Sequence, residues 1–468
     1  MGEQSRYDLI VIGAGPGGYV AAARAGQLGM KTACVDKFDR PGGVCLNYGC
    51  IPSKALLDSS EHAAQAVNSF KNHGIRVGKP EIDLKTMMGR KDEVVRALTD
   101  NVENLLKANN VEIIKGTAAL HGPSAVRVEK NGQAQTIEAK NILLATGSSP
   151  AGVKGLEFDG QFIVNSTDAL AFDRVPRRLL IVGGGYIGLE LGSVWSRLGS
   201  KVTVAEMTDR IAGTADSQLS RRLLRILKSQ GIEFKLKTRV TGADVRKKTV
   251  KVTLDTDGEK SEQVCETVLV AVGRRPLSED LGLEDAGVET DSQGFVKVDA
   301  NFRTAVANIY AVGDLIGQPM LAHKASAEGR AAVEIMAGKP GEVNYDAVPM
   351  VIYTFPEAAS VGKTEEQLKQ QGIDYCTGTF PLTGAGRARC MGETEGMVKV
   401  LSHKKTDRVL GVHILSPRAS DMIAEAVFAI EFGASSEDIG RIMHGHPTFA
   451  EALQEAALVT RQCSIYSG

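Results

Sequence analysis

Leu9-Ile10-Val11-Ile12-Gly13-Ala14-Gly15-Pro16-Gly17-Gly18 decides the fold. An apolar strand runs into a G-x-G-x-x-G turn, and the stretch after it reads as a helix. The pattern returns at Leu180-Ile181-Val182-Gly183-Gly184-Gly185-Tyr186-Ile187-Gly188. In each copy a second strand ends in an acid, Ala33-Cys34-Val35-Asp36 and Val202-Thr203-Val204-Ala205-Glu206. Asp36 lies 23 positions after Gly13, and Glu206 lies 23 positions after Gly183. One such turn alone is weak evidence. Two with identical spacing predict two Rossmann-type nucleotide-binding domains in an α/β chain. The first glycine makes the tight turn, and the second lets the backbone approach a pyrophosphate. The third lets helix pack on strand, and the helix N-terminus holds phosphate charge. The acid accepts hydrogen bonds from ribose hydroxyls.

Each copy closes on a strand ending in glycine, Ile142-Leu143-Leu144-Ala145-Thr146-Gly147 and Val268-Leu269-Val270-Ala271-Val272-Gly273. From first glycine to last, the first copy spans 134 positions and the second spans 90. The surplus matches residues 42 to about 109, an insertion carried by the first copy alone. Asn308-Ile309-Tyr310-Ala311-Val312-Gly313-Asp314 is a further strand that would return the chain to the first domain. From about Tyr345 short strands alternate with a long apolar helix near 420–430, which predicts a separate α+β domain. The expected organisation is 1–149, 150–274, 275–345 (a second part of the first domain) and 346–468.

The insertion begins Gly42-Gly43-Val44-Cys45-Leu46-Asn47-Tyr48-Gly49-Cys50-Ile51-Pro52-Ser53-Lys54. Two thiols so close together beside a nucleotide turn read as a redox-active dithiol/disulfide pair. Seven cysteines in 468 residues are too few for a disulfide-held secreted scaffold. Cys34, Cys265, Cys376, Cys390 and Cys463 read as ordinary buried or surface residues. The formal net charge of −1 gives no reason to expect nucleic acid or an anionic membrane as partner. No apolar stretch reaches the roughly 18–20 residues a spanning helix needs. The N-terminal strand lacks a signal peptide's basic start and long apolar core. The expectation is no membrane insertion, and a place in the bacterial cytoplasm or, for a processed chain, the mitochondrial matrix.

These residues resemble the flavoprotein pyridine nucleotide–disulfide oxidoreductases nearly end to end. The carriers are the cysteine stretch, both glycine turns, Ala145-Thr146-Gly147, Gly313-Asp314 and His444-Gly445-His446-Pro447-Thr448. The resemblance implies FAD at the first turn, with Gly13, Gly15, Gly18 and Asp36 at the pyrophosphate and ribose. It adds Lys54, Ala118, Thr146, Gly147, Asp314, Met320, Ala322 and His323 to the FAD contacts. It implies NAD at the second turn, through Gly183, Gly185, Tyr186, Gly188, Glu206, Val240 and Gly273. A carboxylate at Glu206 repels a 2′-phosphate and disfavours NADP, although Arg210 nearby leaves modest NADP use open. Cys45 would exchange with substrate, and Cys50 would be the thiolate beside the flavin. Lys54 would pair with Glu190 near the ring. His446 would be the acid/base, with Glu451 orienting its other nitrogen and His444 in support. The last domain would then be a dimerisation domain, because the family's histidine serves the dithiol of the other subunit. Two departures stand out. Val44 replaces the usual Thr, and Asp36 replaces the common Glu, which shortens the reach to the ribose.

The activity implied is oxidation of protein-bound dihydrolipoamide to lipoamide with reduction of NAD. The partners implied are the lipoyl domains of 2-oxo acid dehydrogenase or glycine cleavage complexes. A glutathione reductase-like enzyme of the same family is the runner-up, disfavoured by Glu206. A non-catalytic flavoprotein docking module is the reading from another class, disfavoured by the intact Cys45, Cys50 and His446. The C-terminal stretch 460–468 carries a single cysteine. That departs from family members with an extra C-terminal cysteine pair.

Overall fold

A computed structural model describes residues 6–78 and 80–465. The two chain ends read above for targeting and for an extra cysteine lie partly outside these residues. The chain divides into two compact units. One comprises residues 1–55, 88–151 and 273–343, and the other comprises 56–87, 152–272 and 344–468.

The first unit is built on a seven-stranded sheet. Tyr7–Ile12 lies at its centre, parallel to Thr32–Asp36 on one side and Gln133–Leu144 on the other. Glu112–Lys115 extends the first edge, and Ile309–Ala311 adds in parallel to Gln133–Leu144. The returning strand of residues 308–314 thus rejoins this unit, as its apolar run predicts. Leu9, Ile10 and Val11 are fully buried, as a central parallel strand with both faces covered requires. Gln133–Leu144 has two roles. Its second half belongs to the parallel core, and its first half opens an antiparallel meander with Ala125–Lys130 and Thr117–Leu120.

Helix Pro16–Gln27 starts with proline at its first turn, where no N–H is needed. It packs against helix Ala322–Met336 at backbone distance. A Cβ on Gly329 would strike the carbonyl oxygen of Gly17. The insertion supplies helices Gly43–Tyr48, Cys50–Asn68 and Leu84–Ala108 between the second and third strands.

The second unit repeats the plan with a single helix, Ser217–Ser229, in the place of those three. Its five parallel strands run in the order Glu233–Lys235, Lys201–Ala205, Arg178–Val182, Thr267–Val270, Ile163–Val164. A three-stranded meander, Thr238–Arg246, Thr249–Thr256 and Glu259–Cys265, mirrors the one in the first unit.

The C-terminal part is an antiparallel sheet of five strands with helices Ala419–Glu431 and Glu451–Thr460 packed on it. Val398, Val400, Val412, Ile414, Ala426, Leu453 and Ala456 make its core. One buried ionic cluster joins this sheet to the start of helix Ser217–Ser229. Lys399 Nζ lies 2.8 Å from Asp216 and 2.6 Å from Glu365, with Lys399 and Asp216 essentially solvent-free. His413 shares the cluster's burial, which pulls its pKa down to about 4.

Candidate active site

The first glycine turn is held by the sheet, since Gly13 N–H donates to Val35 O at 2.7 Å. Gly18 has to be glycine because a Cβ there would overlap Gly13 O. The insertion docks directly on this turn. Gly42 N–H donates to Ala14 O at 2.8 Å, and a Cβ on Gly43 would come within 2.5 Å of Gly15 Cα. Gly43 also has φ +59°, so two constraints converge on the residue that precedes the cysteines.

Asp36 is buried at the end of its strand. Its carboxylate accepts Ala14 N–H at 2.6 Å and Phe38 N–H at 2.9 Å. Burial pushes its pKa above the ordinary range despite these donors. Beside it opens a cavity of about 240 Å³ lined by Phe38, Pro41, Lys107, Val111 and Lys115. Its apolar floor suits an adenine ring, and its charged rim mixes the two lysines with Asp36, Asp39 and Glu103. The glycine cradle leads from there towards the cysteines, so the residues present fit FAD.

Cys45 lies on helix Gly43–Tyr48, and Cys50 opens helix Cys50–Asn68. Gly49, with φ −141° and ψ −111°, breaks the two helices and folds the thiols together. Their Sγ atoms are 2.7 Å apart, with Cys45 as donor and Cys50 as acceptor. That bond and burial raise the Cys45 pKa, while the Lys54 charge acts the other way. Cys50 stands at a helix N-terminus, where the helix dipole favours negative charge on sulfur. Asn47 ties the first helix down through Gly43 O at 2.9 Å.

On the returning segment, Asp314 accepts a short hydrogen bond from the Ser148 hydroxyl. Arg274 donates to Ser148 Oγ at 2.7 Å and to Ser148 O at 2.6 Å, and lies 3.8 Å from Asp314. Thr146 is fixed by its hydroxyl on Leu277 O at 2.8 Å, and Gly147 takes φ +76°. Met320 is buried, Ala322 and His323 open helix Ala322–Met336, and Ala118 sits in the core on Thr117–Leu120.

In the second copy Gly183 N–H donates to Ala205 O at 2.9 Å. A Cβ on Gly188 would overlap Gly183 O. Glu206 accepts Gly184 N–H at 2.7 Å and both Thr208 N–H and Oγ at 2.8 Å. Gly185 has nothing within 4 Å of where a Cβ would stand. Tyr186 opens the following helix, and Glu190 is buried on it, accepting Tyr353 N–H at 3.0 Å. Val240 is buried in the hydrophobic core of this fold. Gly273 has φ +129° just past the closing strand.

His446 lies before helix Glu451–Thr460 with its side chain 78% exposed. Its Nδ1 is 2.8 Å from Glu451, whose second oxygen accepts Thr448 N–H at 2.8 Å. Burial would raise the Glu451 pKa, but the bonds from His446 and Thr448 outweigh it and hold the carboxylate below its usual range. This leaves Nε2 of His446 facing outward for proton exchange. His444 is nearly buried, with Nε2 2.9 Å from Glu425 and Nδ1 3.1 Å from Ile442 O. The Glu425 bond raises its pKa. The Cys pair and Lys54 belong to the first unit, and Glu190 and His446 to the second. Sequence reasoning missed Ser148, Arg274, Lys324 and Glu328. None lies in a spaced motif of its own, and only the fold brings them to Gly313 and Asp314.

Residues 7–329 match the pyridine nucleotide-disulphide oxidoreductase family, and residues 348–457 match that family's dimerisation domain. The chain belongs to the pyridine nucleotide-disulphide oxidoreductases. It is 48% identical over 456 residues to the mitochondrial dihydrolipoyl dehydrogenase of Pisum sativum, covering 97% of this chain and 91% of that one. The mitochondrial dihydrolipoyl dehydrogenase of Bos taurus is also 48% identical, over 96% and 90% of the two chains. A leghemoglobin reductase of Glycine max is 47% identical, over 97% and 87%. Among solved structures, LpdA from Mycobacterium tuberculosis superposes with a TM-score of 0.88 at 26% identity, covering 96% and 98% of the chains.

Proposed function

We propose that this chain is an NAD-dependent dihydrolipoyl dehydrogenase, which oxidises protein-bound dihydrolipoamide through Cys45 and Cys50. One observation carries the reading. The dithiol is seated on the first glycine turn through Gly43, in a chain whose relatives of this name match along nearly their whole length. A substrate thiol gives its proton to His446, held as the correct tautomer by Glu451. The thiolate attacks Cys45 Sγ, the Cys45–Cys50 bond breaks, and its electron pair stays on Cys50. The second substrate thiol displaces Cys45 and closes lipoamide, leaving one proton on Cys45 and one on His446. FAD, held at the first glycine turn by Gly13, Gly15, Gly18 and Asp36, would supply the two-electron carrier between the Cys45–Cys50 pair and NAD. Lys54 offsets negative charge beside Cys50. Glu206 admits the ribose hydroxyls of NAD and repels a 2′-phosphate.

In this reading residues 1–149 and 275–345 hold FAD, 150–274 hold NAD, and 346–468 join two subunits as a homodimer. Exposed apolar side chains support the last point: Phe428 and Phe432 pack with tilted rings 4.5 Å apart, and Met443 is 99% exposed. The lipoyl groups arrive on 2-oxo acid dehydrogenase or glycine cleavage complexes, in the mitochondrial matrix or bacterial cytoplasm. No helix among the described residues is long and apolar enough to cross a membrane.

The test is anaerobic stopped-flow absorbance of the purified protein. Dihydrolipoamide should raise a long-wavelength flavin–thiolate band, and NAD, not NADP, should rapidly reoxidise the protein and abolish it. Reduction by NADPH with reoxidation by glutathione disulfide, and no response to dihydrolipoamide, would sink the proposal in favour of the glutathione reductase-like reading.

A further inference from the structure

Lys324 and Glu328 are buried one helical turn apart on Ala322–Met336, their charged atoms 3.2 Å from each other and their side chains 2% and 0% exposed. The order opposes helix stability. A lysine in the first turn meets the positive end of the helix dipole, and Lys before Glu is the weaker i,i+4 orientation. Burial adds a desolvation cost that a pair of apolar side chains would avoid. Helix packing therefore does not explain the pair.

The backbone around Gly313 does. Glu328 accepts Gly313 N–H at 2.7 Å. Lys324 Nζ approaches Gly313 O at 3.4 Å and Gly317 O at 3.1 Å. One ion pair thus grips the peptide groups on both sides of Gly313 and the far end of the turn Gly313–Ile316. That turn carries Asp314, whose carboxylate is held separately by Ser148 and Arg274. The same helix also touches the first glycine turn. Ser326 Oγ donates to Pro16 O at 3.3 Å, and a Cβ on Gly17 would stand 3.1 Å from Ala325 O.

We propose that Lys324 and Glu328 are positioning residues: a buried clamp that sets Asp314 for the FAD ribityl and pyrophosphate and couples it to the first phosphate-binding helix. The inference rests on the FAD reading of the first nucleotide fold.

The test compares stripped apoprotein and FAD-loaded dimer for wild type, Glu328→Gln, Glu328→Leu and the double variant Lys324→Met/Glu328→Leu. Thermal melting of the apoprotein reports the fold. FAD dissociation is read from recovery of free-flavin fluorescence, and the visible spectrum of bound flavin reports its setting. Glu328→Leu leaves a buried lysine unpaired and can fail to fold. The double variant removes that charge and keeps the test alive. Its apoprotein should melt within a few degrees of wild type, while its FAD affinity falls roughly 30-fold, as a lost buried acceptor predicts. Glu328→Gln keeps an acceptor for Gly313 N–H and should recover most of the affinity. Wild-type affinity and spectrum in the double variant would overturn the clamp, as would a loss in Glu328→Gln equal to that of the double. A wild-type apoprotein that takes up no FAD would instead overturn the cofactor reading beneath it.

Discussion

The two nucleotide folds of this chain share strand, turn, helix and acid at the same spacing, yet they differ in how open they are. At the first, Gly43 closes on Gly15 and an insertion of three helices follows. At the second, Gly185 stands clear and one helix fills the corresponding stretch. A covered turn suits a nucleotide that stays, and an open one suits a nucleotide that comes and goes. The difference is not in the fingerprint. It lies in what the chain adds after the second strand, and that addition also brings the thiols.

If the insertion is the chemistry, removing one thiol should silence the enzyme and leave both nucleotide folds intact. Cys50→Ser should lower dihydrolipoamide–NAD turnover by at least about 1,000-fold, as loss of an obligatory nucleophile or leaving group does. FAD content and the dimer should be unchanged. Turnover within tenfold of wild type would remove the contrast between the copies.

The resident-versus-exchanging distinction has a thermodynamic counterpart. Stripping FAD should cost about 4 kcal/mol of stability, the linkage expected for a ligand present at roughly 1,000 times its dissociation constant. Adding or removing millimolar NAD should change stability by about 1 kcal/mol or less. Calorimetric melts with each nucleotide in turn decide this, and equal shifts would break the comparison.

The glycines localise it. Gly43→Ala forces a side chain to φ +59° and within 2.5 Å of Gly15 Cα. It should cost about 2–3 kcal/mol and shed FAD. Gly185→Ala meets ordinary backbone and open space, so the fold should melt as wild type. Its new methyl would crowd the NAD pyrophosphate and raise the KM for NAD about tenfold. Melting curves and NAD titrations of both variants separate the two outcomes.

Much of this was legible beforehand because it is local. The glycine turns, the acids 23 positions on, the thiol pair and the His446–Glu451 spacing each need a few neighbouring residues and one turn of helix or strand. What was not legible is set by distance along the chain. Ser148, Arg274 and Asp314 meet across 126 and 166 positions. Lys324 and Glu328 take their place only when the Gly313 turn is laid against their helix. His444 finds Glu425 on a neighbouring helix 19 positions back. Val240 differs again: its side chain is packed in the core of the second nucleotide fold.

The smallest test concerns the acids. Asp36 and Glu206 both bond the N–H next to the first glycine and the N–H two positions past themselves. Their roles in shaping the turn are therefore equal, and only ribose recognition should differ. Glu206→Gln keeps an acceptor oxygen but loses the charge. Its NAD KM should rise about three- to tenfold, in line with roughly 1 kcal/mol for a weakened charged hydrogen bond. NADP use should improve, because the repulsion of a 2′-phosphate is gone while Arg210 remains. Asp36→Asn should leave coenzyme choice untouched and act only on FAD retention. Steady-state kinetics with both coenzymes check the first variant, and flavin release checks the second. If Asp36→Asn moved the NAD/NADP ratio, or Glu206→Gln loosened FAD, the assignment of one nucleotide to each copy would be wrong.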